Sequence, residues 1–372
     1  MGSSERLMLV SSLNPEGMEK ENGGKKGTDE FESSQTNGVK NGGISTTDST
    51  IFMRRFIREI TDLIQSIVGL ICARFCRDFY AISDAAEAIE RVHVGIEYVP
   101  NFRIRFWIKR TWSRIVCSCP ADRSQIILAF LKRVTKHMQK RLVEQWELVK
   151  ARQSPEEETE PTEEEMVAES TMSLFSRECA SFASTFILGE SFSPKNVKKE
   201  AIVSQIAQIL LVDKELFLDM LGLLAKLIIC SDSQAAVKCI PILNVITLNY
   251  ATSFDEQTAV QMLIHALQSL QMYVSDELAA GPILTLIFNI YSTFRPKYPA
   301  LLEVLRQVPN SMPENVEQFD QRIITTIQNE EEGKMHDKIK RDLMRKVLIS
   351  RKVKIHHGQK SSNGTEEDGE MD

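Results

Sequence analysis

The chain lacks the short motifs that mark most enzyme classes. It has no GxxxxGK(S/T) phosphate loop, no GxGxxG turn after a strand pattern, no GxSxG nucleophile elbow and no HExxH pair. The histidines are scattered: His93, His137, His265, His336, His356 and His357, with only the last two adjacent. His265 lies in an apolar helical pattern, where a hydrogen-bonded structural imidazole is the ordinary outcome. Cys72 and Cys76 stand at i and i+4 without a nearby His, and Cys117 and Cys119 have the wrong spacing for a zinc knuckle. With Cys179, Cys230 and Cys239 they read as reduced thiols, most of them in apolar helical stretches. No catalytic group, cofactor or metal is expected, and the chain reads as a non-enzyme.

Long apolar runs are missing too. The best candidate, Leu216 to Cys230, is too short to span a bilayer and carries Asp219 and Lys226, so a buried helix is expected and no membrane insertion. The opening MGSSERLMLVSS lacks the long apolar core of a secretory signal. Glycine and proline are few, 17 and 12 in 372 residues, while 42% of the chain is hydrophobic. That balance excludes a turn-rich β architecture and favours helices.

Residues 1–50 and 356–372 are polar and poor in apolar side chains, which predicts disordered tails. Between them helix-length patterns follow one another. Phe52, Phe56, Ile60, Leu63, Ile67 and Leu70 recur at three- and four-residue steps, forming one apolar stripe. Further helices are expected from Ser83 as N-cap, over 102–117, and over 122–152. The Glu-rich stretch 155–165 reads as a solvated acidic loop dividing helical blocks at 51–154 and 166–355. Helices in the second block are expected over 166–189, 195–211, 214–230, 233–250, 256–273, 276–293, 296–307, 313–328 and 334–350.

Short connections imply antiparallel neighbours, and pairs of about forty residues fit HEAT-type repeats. The rival is one compact helical domain. A helical stretch of roughly three hundred residues favours the solenoid, because single cores stop growing near that size. The expected class is therefore all-α, a HEAT-type α-α superhelix.

The net charge of -6 hides a segregation of signs. From 101 to 141 the basic residues are Arg103, Arg105, Lys109, Arg110, Arg114, Arg123, Lys132, Arg133, Lys136, Lys140 and Arg141, against the single acid Asp122. Arg133, Lys136 and Lys140 share a helical face with Lys132 beside it, and Arg103, Arg110 and Arg114 fall along one side of the preceding helix. Paired, the two helices would offer a positive strip suited to polyanions or acidic partners. A solvated face is the plain alternative, although interspersed signs are the norm there. A second basic block, 334–354, contains Lys338, Arg341, Arg345 and Lys346 and reads as a capping helix or a localisation-like patch.

Several stretches occur in an order that resembles a known family. They are Asp78-Phe79-Tyr80 with Asp84, then Val99-Pro100-Asn101-Phe102-Arg103-Ile104-Arg105, then Arg141-Leu142 with Gln145-Trp146. Near the end come Phe288–Tyr298 (FNIYSTFRPKY) and Glu317-Gln318-Phe319-Asp320. Together they resemble the C-terminal part of the exportin-5 family of karyopherin-β export receptors, over about 52–355. The resemblance implies a HEAT scaffold that carries double-stranded or hairpin RNA, such as microRNA precursors, with Ran–GTP. It also implies contact with nucleoporins and shuttling between nucleus and cytoplasm. Family members are much longer, and nothing in this sequence matches the N-terminal arch that holds Ran. A protein-interaction scaffold without RNA binding is the competing expectation.

Overall fold

A computed structural model describes residues 46–152, 162–189, 203–308 and 313–328. Among them there is no strand. The chain runs α1 (Thr46–Ala81), α2 (Ala85–Val92), α3 (Asn101–Trp107), α4 (Ser113–Ser118), α5 (Leu128–Arg152), α6 (Glu163–Leu188) and α7 (Gln205–Leu210). It continues α8 (Lys214–Ile228), α9 (Ser233–Asn249), α10 (Glu256–Tyr273), α11 (Glu277–Phe294), α12 (Ala300–Arg306) and α13 (Pro313–Gln328). A π-helical turn, Ile108–Trp112, joins α3 to α4, and a 3-10 segment, Ala121–Ile127, leads into α5.

The middle helices start where an aspartate can cap them. Asp213, Asp232, Asp255 and Asp276 each accept a hydrogen bond from a backbone N–H in the first turn of α8, α9, α10 and α11. Each such cap contributes about 1 kcal/mol and sets where the chain turns. Thr162 and Glu165 form a reciprocal capping box that opens α6. The acidic stretch therefore ends earlier than its composition implies, since Glu163, Glu164 and Glu165 are the first turn of α6.

Packing follows two rows. In one, α5 lies on α8, α8 on α10 and α10 on α12; in the other, α3 lies on α6, α6 on α9, α9 on α11 and α11 on α13. Hairpin partners α5–α6, α8–α9, α10–α11 and α12–α13 join the rows. Each pair buries its apolar faces against its neighbours, which is the arrangement of a HEAT-type helical repeat solenoid. Phe217, Phe254, Phe294 and Tyr298 form a continuous aromatic run between α8 and α12, with successive ring centroids 5.5, 4.7 and 6.4 Å apart.

Several bounds differ from the sequence reading. α1 begins at Thr46, inside the stretch expected to be a disordered tail, and it runs on to Ala81 across a kink at Cys76. Ser83 is not the cap of α2; Asp84 holds that position, without a side-chain hydrogen bond. The helix expected over 102–117 is divided by the π turn. The helix expected over 334–350, with Lys338, Arg341, Arg345 and Lys346, lies outside the described residues, as do 1–45 and 356–372.

The largest difference concerns α1. Its apolar stripe faces outward, and Phe52, Phe56, Ile60, Leu63, Ile67 and Leu70 are all exposed. The face that packs on the body carries Asp62, Gln65, Gly69 and Cys72 instead. Hydrogen bonds hold it: Arg103 to Asp62, Trp107 Nε1 to Asp62 at 2.8 Å, Gln65 Nε2 to the Val92 carbonyl at 3.0 Å and Thr111 Oγ1 to the Gln65 carbonyl at 2.8 Å. At Gly69 the helix touches the π turn backbone to backbone. A Cβ there would sit 2.4 Å from the Arg110 carbonyl oxygen.

Candidate functional site

The basic residues between 101 and 141 do not form one strip. They divide into an internal set, a neutralised set and a free set.

Arg103 belongs to the interior. It is buried, 2.9 Å from the Asp62 carboxylate, and also donates to the Arg58 carbonyl. It does not line the surface with Arg110 and Arg114, because the π turn between them inserts an extra residue per turn and breaks the α-helical register. Arg141 is half-buried and serves the backbone. It donates to the Glu97 and Val99 carbonyls and to Asn101 Oδ1 at 3.2 Å, tying α5 to the loop before α3. Burial lowers its pKa from the usual arginine value.

The α5 residues are neutralised by acids distant in sequence. Lys132 Nζ lies 2.9 Å from Asp213 and 2.8 Å from Glu215. Lys136 reaches Glu215 and, at 3.7 Å, Asp219; Arg133 meets Glu90 of α2 at 2.8 Å. Hydrogen bonds to Glu215 lead in raising both lysine pKa values, and hydrogen bonds from the Leu216 N–H and then Lys132 lower that of Asp213. Asp219 moves the other way because its burial outweighs Lys136. In space, then, Glu90, Asp213, Glu215 and Asp219 face Lys132, Arg133 and Lys136, a stretch with no acid of its own. Lys140 keeps a looser contact, 3.7 Å from Glu144 one turn on.

What remains is the exposed Arg123, in the 3-10 segment, and the surface that runs from α3 through the π turn to the start of α4. Arg105, Lys109, Arg110 and Arg114 form no ion pair with the described residues. Lys109 and Arg110 are exposed, and Arg105 and Arg114 are partly so. The guanidinium carbons of Arg105 and Arg110 both lie 5.5 Å from the Phe106 ring centroid, and the ring itself is exposed. Phe102, one turn earlier, is exposed too. An aromatic face flanked by two guanidiniums presents charge and a stacking platform together. Phe102 and Phe106 were legible as a pair at i and i+4 beside Arg105 and Lys109, but the charges alone did not single them out.

Between α11 and α13 lies a polar network at Asp320. Tyr291 donates to its Oδ1 at 2.6 Å, and Arg295 binds both oxygens at 2.8 and 2.9 Å. The Phe319 ring packs on Tyr291 with centroids 5.3 Å apart. The two C-terminal stretches that carried the family resemblance are thus one structural unit. Among the described residues no three His, Cys, Asp or Glu side chains converge on a possible metal position, and no helix is long and apolar enough to cross a membrane.

A family model described as Exportin-5 matches residues 24–361. The chain belongs to the exportin-5 family. Exportin-5 of Mus musculus is 20% identical over 330 residues, which cover 80% of this chain and 26% of the mouse protein. Exportin-5 of Homo sapiens is 21% identical over 341 residues, 82% of this chain and 28% of the human one. The chain thus spans little more than a quarter of the length of the curated relatives it matches. Family membership agrees with the helical repeat array described above.

Proposed function

We propose that the chain holds double-stranded or hairpin RNA of the microRNA-precursor type as export cargo. Ran–GTP and nucleoporins are its further partners on a path between nucleus and cytoplasm. The observation that carries the reading is the free basic and aromatic surface of Arg105, Phe106, Lys109, Arg110 and Arg114. A-form stems offer side chains little but phosphates, 2′-hydroxyls and shape, and such a surface meets them without reading sequence. Lys140 on α5 is a further exposed candidate, and Lys338, Arg341, Arg345 and Lys346 are a second candidate contact. Lys132, Arg133 and Lys136 contribute less, because their charge is already matched by Glu90, Asp213, Glu215 and Asp219.

Fluorescence anisotropy with a short labelled RNA hairpin, with and without Ran–GTP, tests this. Binding that is steep in salt and falls at least about tenfold in the Arg105→Glu, Arg110→Glu double variant is expected. An unchanged affinity in that variant would remove the assignment.

A second reading, an acidic-protein scaffold without RNA, draws on the same neutralisation of α5, which shows this fold pairing its basic face with carboxylates. Pull-downs with and without ribonuclease separate the two, since partners retained after digestion favour the protein scaffold.

A further inference from the structure

α1 is inverted relative to an ordinary surface helix, with polar anchors inside and its apolar stripe in solvent. Phe52, Phe56, Ile60, Leu63, Ile67 and Leu70 are 39–68% exposed along one side of the helix. At 1.5 Å per residue they form a ridge roughly 27 Å long. Together with flanking Met53 and Ile64 they expose on the order of 700 Å² of apolar side chain, beyond the largest patch typical of a monomer.

We infer that this ridge is a self-association surface on which α1 of a second copy packs antiparallel. Two such ridges bury about 1,400 Å², inside the range of a stable dimer interface and well above an incidental contact. The ridge is graded in a way that suits a two-fold axis. Phe52 and Phe56, stacked with centroids 6.4 Å apart, occupy one end, and the aliphatic Leu63, Ile67 and Leu70 occupy the other. An axis passing near residue 61 lays the phenyl pair of each copy on the aliphatic half of its partner, the self-complementarity an isologous contact requires. A parallel pairing would set phenyl on phenyl and leave the aliphatic ends loosely filled. Charge does not oppose the contact, because Arg55 beside the ridge is already paired with Glu59 at 3.0 Å. Arg74 and Arg77 lie beyond its end. The contact leaves the polar anchors Asp62, Gln65 and Gly69 untouched, on the opposite face.

Sedimentation velocity across micromolar concentrations is expected to show a monomer–dimer equilibrium. The Phe56→Glu, Ile67→Glu double variant is expected to weaken it by at least about a hundredfold, with an unchanged far-ultraviolet circular dichroism spectrum. A separate test does not depend on that variant folding. With Cys76 replaced by serine, a Phe52→Cys chain mixed with a Leu70→Cys chain should form a disulfide-linked pair on mild oxidation, and the Phe52→Cys chain alone should not. A monomer at every concentration, a dimer indifferent to the two glutamates, or self-linking of Phe52→Cys chains would each overturn the proposal. So would a monomer whose ridge instead takes up a separately supplied helical segment of a longer family member.

Discussion

The Tyr291 hydroxyl donates to the Asp320 carboxylate at 2.6 Å between α11 and α13, and Arg295, just past the end of α11, completes the site. Burial, and then the neighbouring carboxylate, push the Tyr291 pKa well above its ordinary value, so the hydroxyl remains a donor at any physiological pH.

Removing the carboxylate leaves a partly buried guanidinium and a buried hydroxyl without their acceptor. Asp320→Ala should therefore lower stability by about 3 kcal/mol, and Tyr291→Phe by about 1 kcal/mol. Urea unfolding followed by circular dichroism reads both. Equal losses for the two variants would mean the ion pair adds nothing beyond the tyrosine bond.

The sequence made this network visible only as two motifs of unknown relation. Periodicity located α10 and α13 at their observed bounds and α8, α9 and α11 within a residue or two, because each is amphipathic and, α13 apart, begins at an aspartate cap. Periodicity does not say which way a face points. The stripe on α1 was legible, but its outward turn depends on Arg103 reaching Asp62 and Thr111 reaching Gln65, partners more than forty residues away. The charge strip failed for the same reason, since Lys132 meets Asp213 across 81 residues. The π turn left no mark in composition, and it breaks the register between Arg103 and Arg114.

Two glycines separate backbone crowding from side-chain crowding. A Cβ at Gly69 would meet the Arg110 carbonyl at 2.4 Å and the Thr111 Cα at 3.0 Å, and neither atom can move without shifting the π turn. Gly69→Ala should cost about 2–3 kcal/mol. At Gly222 the nearest atom belongs to the flexible end of Gln139. Gly222→Ala should cost well under half as much, and a thermal melt of both variants checks the order.

Acid sensitivity should come from buried imidazoles. Burial pushes the pKa of His93 down to about 4, and burial with Arg141 and Lys140 does the same to His137. The unfolded chain takes up these protons near 6.5, so between about 6.5 and 4 it binds more protons than the fold does. Stability is complete above that window and falls as pH drops through it, by about 3 kcal/mol for His93 alone. His93 packs between Trp112 and Phe130, at 5.8 and 4.8 Å between ring centroids. His93→Phe should flatten the pH dependence of the melting temperature between 7 and 4 by that share.

The proposed RNA contact has a salt signature. Replacing Arg105 and Arg110 with alanine should reduce the slope of log affinity against log salt by about 2, one for each phosphate left without its guanidinium. Replacing Lys132 and Lys136 should leave the slope unchanged. Anisotropy titrations at a series of potassium chloride concentrations distinguish these cases.

The carboxylate pairs that join α5 to α8 also bear on the mechanics of the array. Lys132 and Lys136 grip Glu215, and Asp213 both pairs with Lys132 and caps α8, so charge holds this junction as well as apolar contact. Counter-ions weaken exposed pairs of this kind. The junction between these two repeats is therefore stiffest at low ionic strength and yields as salt rises. The stiffness of the scaffold and its grip on a polyanion would then relax together, controlled by the same ions.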